Sequence, residues 1–478
     1  MGSGRLLGGA LVLAAAACSA REAVDPEQTT TGAVITNRNL DILVMMDNSS
    51  SMLLPQANLR TNFPMFMDAL RALPGGMPNL HLAVISSDMG AGDGSIAGCD
   101  ARGGDMGIFQ YTPRGTCTAS PLTAGATYLS NVGGQVNYTG DISAAFSCLA
   151  QLGDMGCGFE HQFASVLRAL GADGAPAPAE SQGFLRRDAL LAIIMLTNED
   201  DCSARPGLAL FDTASNVTLS SQLGPPANFR CNEFGHLCDG VPPVRKAPGG
   251  SVTATVPLQN CVASECGGAV TPVAEFVARI KALKAAPASE IVMAAITGPV
   301  TPYVVGWKSP STSDSGPWPV IAHSCTAADG SFADPSVRIA QAVSAFGANG
   351  LVSSLCAASF GPALQQIAQR IGTVLAAGGG TGGGPPPIPV CPPDGGTADG
   401  AGAEDGGAGG AGGTTGAGGA GNTQGSDAAV GGGVGTTSRS KGGCQTGGGA
   451  VNGWWLAGLI MVALARQGSR RRARSSRR

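Results

Sequence analysis

Continuous apolar runs that alternate with stretches of helical spacing constrain this chain more than any other feature. The apolar runs lie at 40–46, 80–86, 189–196, 291–296 and 350–355. Strands that are apolar at nearly every position are buried on both faces, which is typical of parallel sheets. The stretches between them predict amphipathic helices at 55–73, 160–170, 271–285, 335–346 and 360–375. The sequence therefore predicts a doubly wound α/β fold, with a mainly parallel sheet and helices on both faces.

Two stretches interrupt this alternation. Residues 89–137 are rich in Gly, Thr and Cys, and residues 202–271 are rich in Pro and Cys. We expect both to be disulfide-rich insertions at the carboxyl ends of the strands, the edge of such a sheet where ligands bind. Both lie within one folded domain that we predict at 35–376.

The cysteine content indicates an oxidising compartment. The chain has 14 cysteines, and twelve remain once Cys18 and Cys444, which lie in the terminal segments described below, are set aside. An even number is typical of an exported protein with disulfides. Short loops favour the pairs Cys148–Cys157 and Cys261–Cys266, followed by Cys99–Cys117 and Cys325–Cys356. Four cysteines have no preferred partner: Cys202, Cys231, Cys238 and Cys391.

The first 18 residues predict an export signal. Arg5 precedes an apolar run at 6–17 that is too short to span a bilayer. The sequence Ala15-Ala16-Ala17-Cys18 resembles a bacterial lipobox, although Leu is usual where Ala15 stands. The resemblance implies a lipid on Cys18 and, because Ser19 is not Asp, sorting to the outer membrane. The alternative is a plain signal peptide in which Cys18 is coincidental.

The last hundred residues predict a linker and a membrane segment. Residues 377–450 are Gly-rich without an aromatic residue, which predicts a disordered linker. Within 451–478, a short apolar stretch with two Trp residues precedes seven arginines, as in a short transmembrane segment with a positive inner end. Together with Cys444 this arrangement resembles the myxobacterial C-terminal sorting signal, which implies cleavage near the cysteine and exposure at the cell surface. The alternative is a simple membrane tail, so a lipid, this helix or both contact the membrane.

The charge excludes a nucleic-acid partner. The whole chain carries 29 basic and 33 acidic residues, for a net charge of −4. Eight of the basic residues are Arg5 and the seven tail arginines, so the rest of the chain has 21 basic and 33 acidic residues. A domain with a net charge near −12 repels phosphate backbones and suits divalent cations.

One loop offers a cation site. Asp47-Asn48-Ser49-Ser50-Ser51 follows directly on the first apolar run and precedes a helix. A hard cation such as Mg²⁺ or Ca²⁺ needs several oxygen ligands, and one carboxylate with two hydroxyls on alternate residues supplies three from a single turn. The alternative is an Asp/Ser helix cap without a metal.

The strand, the D-x-S-x-S loop, the helix and a later strand that ends in an acidic cluster resemble the von Willebrand factor A domain with its metal-ion-dependent adhesion site, over about 38–376. The resemblance implies that Asp47, Ser49 and Ser51 bind the metal, with a Thr from a second loop and an Asp after the fourth strand. Where that Asp is expected, this chain has Asn198, followed by Glu199 and Asp200 as further candidates. Glu160 stands in the second loop as a candidate ligand or, alternatively, as a first-turn helix carboxylate.

In that family the metal leaves one coordination position open, and an acidic residue of the partner fills it. The resemblance therefore implies a surface-anchored, divalent-cation-dependent adhesion protein that binds a protein or polysaccharide. We expect no enzyme, because H-E-x-x-H, G-x-S-x-G and P-loop motifs do not occur. The alternatives are a structural or assembly module of the cell envelope without a metal, and an exported hydrolase that uses the acidic cluster.

Overall fold

A computed structural model describes residues 1–2, 37–91, 99, 104–204, 210–211, 218–225, 228–266, 268–309 and 316–378. The chain divides into two units, 1–397 and 398–478, and every described residue belongs to the first. The predicted lipobox with Cys18, most of the Gly-rich segment, Cys391, Cys444 and the apolar tail lie outside the described residues. Within the described part, no helix is long and apolar enough to cross a membrane.

A seven-stranded, mainly parallel sheet forms the centre of the fold. Its strand order is β14-β9-β5-β1-β2-β3-β4, and the first five of these run parallel. The parallel strands are β1 (Asn39–Met46), β2 (Asn79–Ser86), β5 (Leu190–Leu196), β9 (Ile291–Thr297) and β14 (Gly350–Ser354). The prediction of a mainly parallel sheet in an α/β fold is confirmed, and each of these strands lies within one or two residues of its predicted apolar run.

Helices cover the sheet through two separate core clusters. Alternate side chains of β1 point to opposite faces: Leu40, Ile42, Val44 and Met46 join one cluster, and Leu43 and Met45 join the other. The first cluster packs against α1 (Leu53–Arg71), α2 (Ile142–Leu149) and α8 (Gly361–Ala377). The second packs against α3 (Gln162–Ala169), α5 (Val273–Lys281) and α7 (Val337–Ser344). The two remaining helices are α4 (Phe229–Gly235) and α6 (Pro287–Glu290).

The two predicted insertions contain secondary structure of their own. The first includes β3 (Leu129–Val132) and β4 (Gln135–Val136), which extend the main sheet beyond β2 in antiparallel fashion. It is therefore not only a loop at the strand ends, because its last residues pair with a free sheet edge. The second contributes β6 (His236–Cys238), β7 (Thr255–Leu258) and β8 (Cys261–Ala263). Four later strands complete the described part: β10 (Tyr303–Lys308), β11 (Trp318–Ala322), β12 (Cys325–Thr326) and β13 (Phe332–Ala333).

Five disulfides link described residues: Cys99–Cys157, Cys117–Cys148, Cys202–Cys231, Cys238–Cys261 and Cys325–Cys356. Cys266 is also disulfide-bonded. Of the predicted pairs, Cys325–Cys356 is confirmed. The pairs Cys148–Cys157, Cys261–Cys266 and Cys99–Cys117 were wrong, because the fold brings together cysteines that are distant along the chain. Cys148 on α2, for example, meets Cys117 in the preceding insertion.

Candidate functional site

The register of the parallel strands brings three polar segments to one edge of the sheet. Met46 pairs with Ser86 on one side and with Leu196 on the other. The residues that follow, Asp47, Ser87 and Thr197, therefore leave the sheet next to one another. This position is the carboxyl end of the parallel strands, where ligands bind in open α/β sheets.

Asp47 is fully buried and rigidly held at this edge. One carboxylate oxygen, Oδ1, accepts a hydrogen bond from the Ser49 backbone N–H at 2.8 Å. The other, Oδ2, accepts from the Thr197 hydroxyl at 2.9 Å. Burial raises the pKa of Asp47, although these hydrogen bonds oppose the shift. The short D-x-S turn and the end of β5 thus fix the carboxylate from two directions.

Two serine hydroxyls and an amide lie in a row beside Asp47. The Ser49 and Ser51 Oγ atoms are 3.5 Å apart. Ser51 donates a hydrogen bond to Asn198 Oδ1 at 3.2 Å. Asn198 is only 1 % exposed, and its Nδ2 atom has no hydrogen-bond partner among the described residues. The structure therefore brings Asn198, the second residue after β5, together with the three loop residues Asp47, Ser49 and Ser51.

Glu160 approaches from the opposite side of this cluster and is 1 % exposed. Its Oε2 atom accepts a hydrogen bond from the Ser87 hydroxyl at 2.6 Å, whereas no donor among the described residues reaches Oε1. Burial, together with the negative charges of Asp47 and Glu199, raises the pKa of Glu160 well above its usual value. Two buried carboxyl groups thus share one small space.

The acidic residues after Asn198 have different partners. Glu199 accepts a hydrogen bond from Asn228 at 2.6 Å, and burial followed by the charges of Asp334 and Asp47 raises its pKa. Asp200 accepts from His236 at 2.8 Å and from two backbone N–H groups at the start of α7, those of Arg338 and Ile339. The structure therefore uses Asp200 to attach α7 and the second insertion, while Glu199 remains near the cluster.

Three polar residues that the sequence did not single out belong to the site. Thr197 and Ser87 hold the two carboxyl groups, and Gln162 donates to the Thr197 hydroxyl at 2.9 Å. The Gln162 Oε1 atom is buried without a partner among the described residues. Thr197 and Ser87 each follow directly on an apolar strand, and that position was the signal that could have identified them.

The loop that precedes Glu160 packs closely against the D-x-S-x-S loop. The Gly156 backbone N–H donates to the Asn48 carbonyl at 2.8 Å. The Gln56 side chain donates to the Gly153 carbonyl at 2.8 Å and accepts from its N–H at 3.2 Å. These contacts fix the position of Glu160 relative to Asp47.

The residues present fit a hard divalent cation. The candidate metal ligands in the cluster are all oxygen atoms: those of the Asp47 and Glu160 carboxyl groups, the Ser49 and Ser51 hydroxyls, and the Asn198 amide. Among the described residues, no group of three or more His, Cys, Asp or Glu side chains could hold a metal alone, so binding here depends on the neutral oxygens as well. Carboxylates buried without a positive partner are unfavourable, and a bound cation removes that cost.

No family model and no curated protein matches this chain. Among solved structures, it is similar to the pilus adhesin SpaC from Lactobacillus rhamnosus GG in an open conformation, with 12% identity, a TM-score of 0.28, and coverage of 71% of this chain and 30% of the adhesin. It is also similar to proximal thread matrix protein 1 from the mussel byssus, with 9% identity, a TM-score of 0.26, and coverage of 71% and 49%. The chain thus spans less than half of either protein, and TM-scores this low do not establish a shared fold.

Proposed function

We propose that this protein is a surface-anchored adhesion protein that binds one divalent cation at the end of β1 and, through it, a protein or polysaccharide ligand. The proposed cation ligands are Asp47, Ser49 and Ser51, with Asn198 beside them. The proposed domain type is the von Willebrand factor A domain, as the sequence resemblance implies. The observation that carries the proposal is the convergence of these oxygens with Glu160 around one buried point.

The opposite end of β1 shows how this fold neutralises a buried carboxylate when no cation is needed. Asp41 is fully buried, and the Arg186 guanidinium contacts its Oδ1 atom at 2.7 and 2.8 Å. Asp47, six residues later and just beyond the end of β1, is buried to the same extent, yet no positive side chain contributes to its pKa among the described residues. The contrast supports an exogenous cation at Asp47, because an uncompensated buried charge is destabilising.

Isothermal titration of the purified full chain in detergent with Ca²⁺ and with Mg²⁺ tests the cation site. We expect one site per chain that Asp47→Ala and Ser49→Ala each abolish or weaken at least tenfold. Ser50→Ala is the matched control, because Ser50 is exposed between the two proposed ligands and should leave affinity unchanged. Equal affinity in the Asp47→Ala and wild-type proteins would refute the assignment.

The proposed role at the cell surface adds a partner to the cation. The disulfides indicate an exported protein, and anchoring in the outer membrane through the terminal segments is part of the proposal. Immobilised protein should retain envelope proteins or polysaccharides in Ca²⁺ or Mg²⁺ and release them in EDTA. Retention that is insensitive to EDTA would indicate adhesion without a bridging cation.

A second candidate function is a rigid, metal-free module of the cell envelope. Five disulfides within the described residues favour it, because they stiffen the rim of the sheet without a ligand. In this alternative Asp47 and the serines only shape the turn before α1. A domain that neither binds a cation nor changes its melting temperature with one would support this alternative.

A further inference from the structure

We propose that Glu160 is a direct ligand of the cation and that the site it completes selects Ca²⁺ over Mg²⁺. The inference rests on the proposed cation site and adds to it a fifth protein ligand and the identity of the metal. It starts from a buried glutamate whose Oε1 atom receives no hydrogen-bond donor among the described residues and whose carboxyl group meets that of Asp47.

Glu160 is not a helix-capping residue. Helix α3 begins at Gln162, after His161 at the cap position. Its first free backbone N–H groups already have acceptors, because Phe163 donates to Asp201 at 2.9 Å and Ala164 donates to Ser203 at 2.8 Å. The Glu160 carboxyl group is therefore not needed to satisfy the start of α3.

The Ser87 hydroxyl fixes the orientation of the Glu160 carboxyl group. Ser87 follows β2 and donates a hydrogen bond of 2.6 Å to Oε2. No hydrogen-bond donor among the described residues reaches Oε1. The protonated Glu160 carboxyl group hydrogen-bonds the Asp47 side chain directly. Both groups are buried and cannot both ionise without a positive partner, so a divalent cation between the two carboxylates would replace the proton that they share.

Glu160 also supplies the negative charge that Asn198 does not. Asn198 contributes a neutral amide oxygen, so Asp47 alone would give the site a single negative charge. With Glu160 ionised, two carboxylates balance a doubly charged ion in a place where neither side chain contacts solvent. Buried ions are stable only when their charge is compensated locally.

The spacing and burial of the donors favour Ca²⁺. Neighbouring ligands of a regular octahedral ion lie about 3.0 Å apart for Mg²⁺ and about 3.4 Å apart for Ca²⁺, given their usual metal–oxygen distances. The Ser49–Ser51 oxygens, 3.5 Å apart, match the Ca²⁺ spacing, whereas the Ser51–Asn198 oxygens, 3.2 Å apart, lie between the two values. In addition, Mg²⁺ normally keeps several waters, whereas Asp47, Ser49, Glu160 and Asn198 are each at most 5% exposed. Ca²⁺ accepts hydroxyl, amide and carboxylate oxygens in irregular numbers and geometries.

The test is titration of the chelator-treated full chain, in detergent, with Ca²⁺ alone and with Mg²⁺ alone. We expect the wild-type protein to bind Ca²⁺ at least tenfold more tightly than Mg²⁺. Binding of neither ion would overturn the proposed cation site itself. Binding of Mg²⁺ as tight as that of Ca²⁺ would leave the cation site intact and overturn the selectivity.

Glu160→Gln tests the ligand separately, because the amide keeps the shape and removes the charge. We expect Ca²⁺ affinity to fall at least tenfold, with the Ca²⁺-free melting curve still cooperative. Glu180→Gln, in the short 3-10 helix Ala179–Ser181 and not among the proposed ligands, is the control and should bind like the wild type. If Glu160→Gln does not melt cooperatively, Glu160→Asp replaces it. This variant keeps the charge, and its shorter side chain moves the carboxylate oxygens away from the site. Wild-type Ca²⁺ affinity in the folded variant shows that Glu160 is not a ligand.

Discussion

At the scale of single residues, Gly156 and Asn48 determine how closely the two loops of the site approach. A Cβ atom added at Gly156 would lie 2.3 Å from Asn48 Oδ1 and 2.5 Å from its Cγ atom. Asn48 is 5% exposed, so its side chain has little room to move aside. Only a residue without a side chain allows the loop that carries Glu160 to approach the Asp47 loop.

We therefore predict that Gly156→Ala lowers the free energy of unfolding by about 1–3 kcal/mol, the usual cost of an overpacked buried contact. It should also weaken cation binding, because the displaced Asn48 lies beside Asp47. Gly158→Ala is the matched control, since a Cβ atom there meets nothing within 4 Å. Urea denaturation of both variants, followed by Ca²⁺ titration, measures the two effects. Equal stability of the two variants would show that Asn48 relaxes freely.

Only some residues of the site can be identified from local sequence patterns. Asp47, Ser49 and Ser51 stand in one short motif, and the structure brings them together. Thr197 and Ser87 were missed because their role depends on strand register, which places residues 150 and 73 positions away from their partners. Asp200 is placed elsewhere because a buried histidine and two backbone N–H groups of α7 use its oxygens. No local sequence pattern indicates these long-range partners.

At the scale of elements, the strands that could be predicted from the sequence were those with continuous apolar runs. The run at 189–196 became β5 at Leu190–Leu196, because a fully buried strand is apolar at every position. Helix α2 was missed although it has eight residues, as the predicted helices α3 and α7 do. Its position depends on a tertiary contact with α1, in which the rings of Phe63 and Phe146 stack 3.6 Å apart. Strands β10 and β11 were also missed, because their pairing with each other is a tertiary contact.

Asp141 provides a prediction about α2. It is the N-cap residue, and its carboxylate accepts a hydrogen bond from the Ser143 N–H at 2.7 Å. We predict that Asp141→Ala lowers the free energy of unfolding by about 1 kcal/mol at pH 7. Asp141→Asn is the matched variant and should retain most of that stability, because an amide oxygen also caps a helix.

The two Asp141 variants should also differ from the wild type in pH dependence. Partial burial alone would raise the pKa of Asp141. The hydrogen bonds from Ser143 and the positive charge of Arg71 outweigh this effect and lower the pKa below 3.8. A lowered folded-state pKa means that the carboxylate contributes stability above about pH 4, and that this contribution is lost as the pH falls through the folded-state value. The advantage of the wild type over Asp141→Asn should therefore shrink in thermal melts as the pH falls below about 4, towards the lowered folded-state pKa. An advantage that is constant with pH would show that the charge does not contribute.

At the scale of the whole molecule, the insertions hold the rim of the site together. Cys99–Cys157 and Cys202–Cys231 belong to a small apolar cluster separate from the two main cores. In this cluster Phe159 packs on Phe211, with ring centroids 4.7 Å apart. Each of the two loops beside Asp47 is therefore tied to an insertion by a disulfide, and the proposed cation would bind to a preformed rim.

A preformed rim leads to a prediction about the stability of the whole domain. Because an ion that binds only the folded state stabilises it by mass action, Ca²⁺ at 100 times its dissociation constant should add about 2.7 kcal/mol. For a domain of about 340 residues, that raises the melting temperature by roughly 4 °C, while the circular dichroism spectrum at 20 °C should barely change with the ion. The double variant Ser49→Ala/Ser51→Ala should lose the shift, and Ser50→Ala should keep it. A shift that survives in the double variant means that Ca²⁺ stabilises the domain from another position, and no shift in the wild type means that the disulfides alone hold the rim.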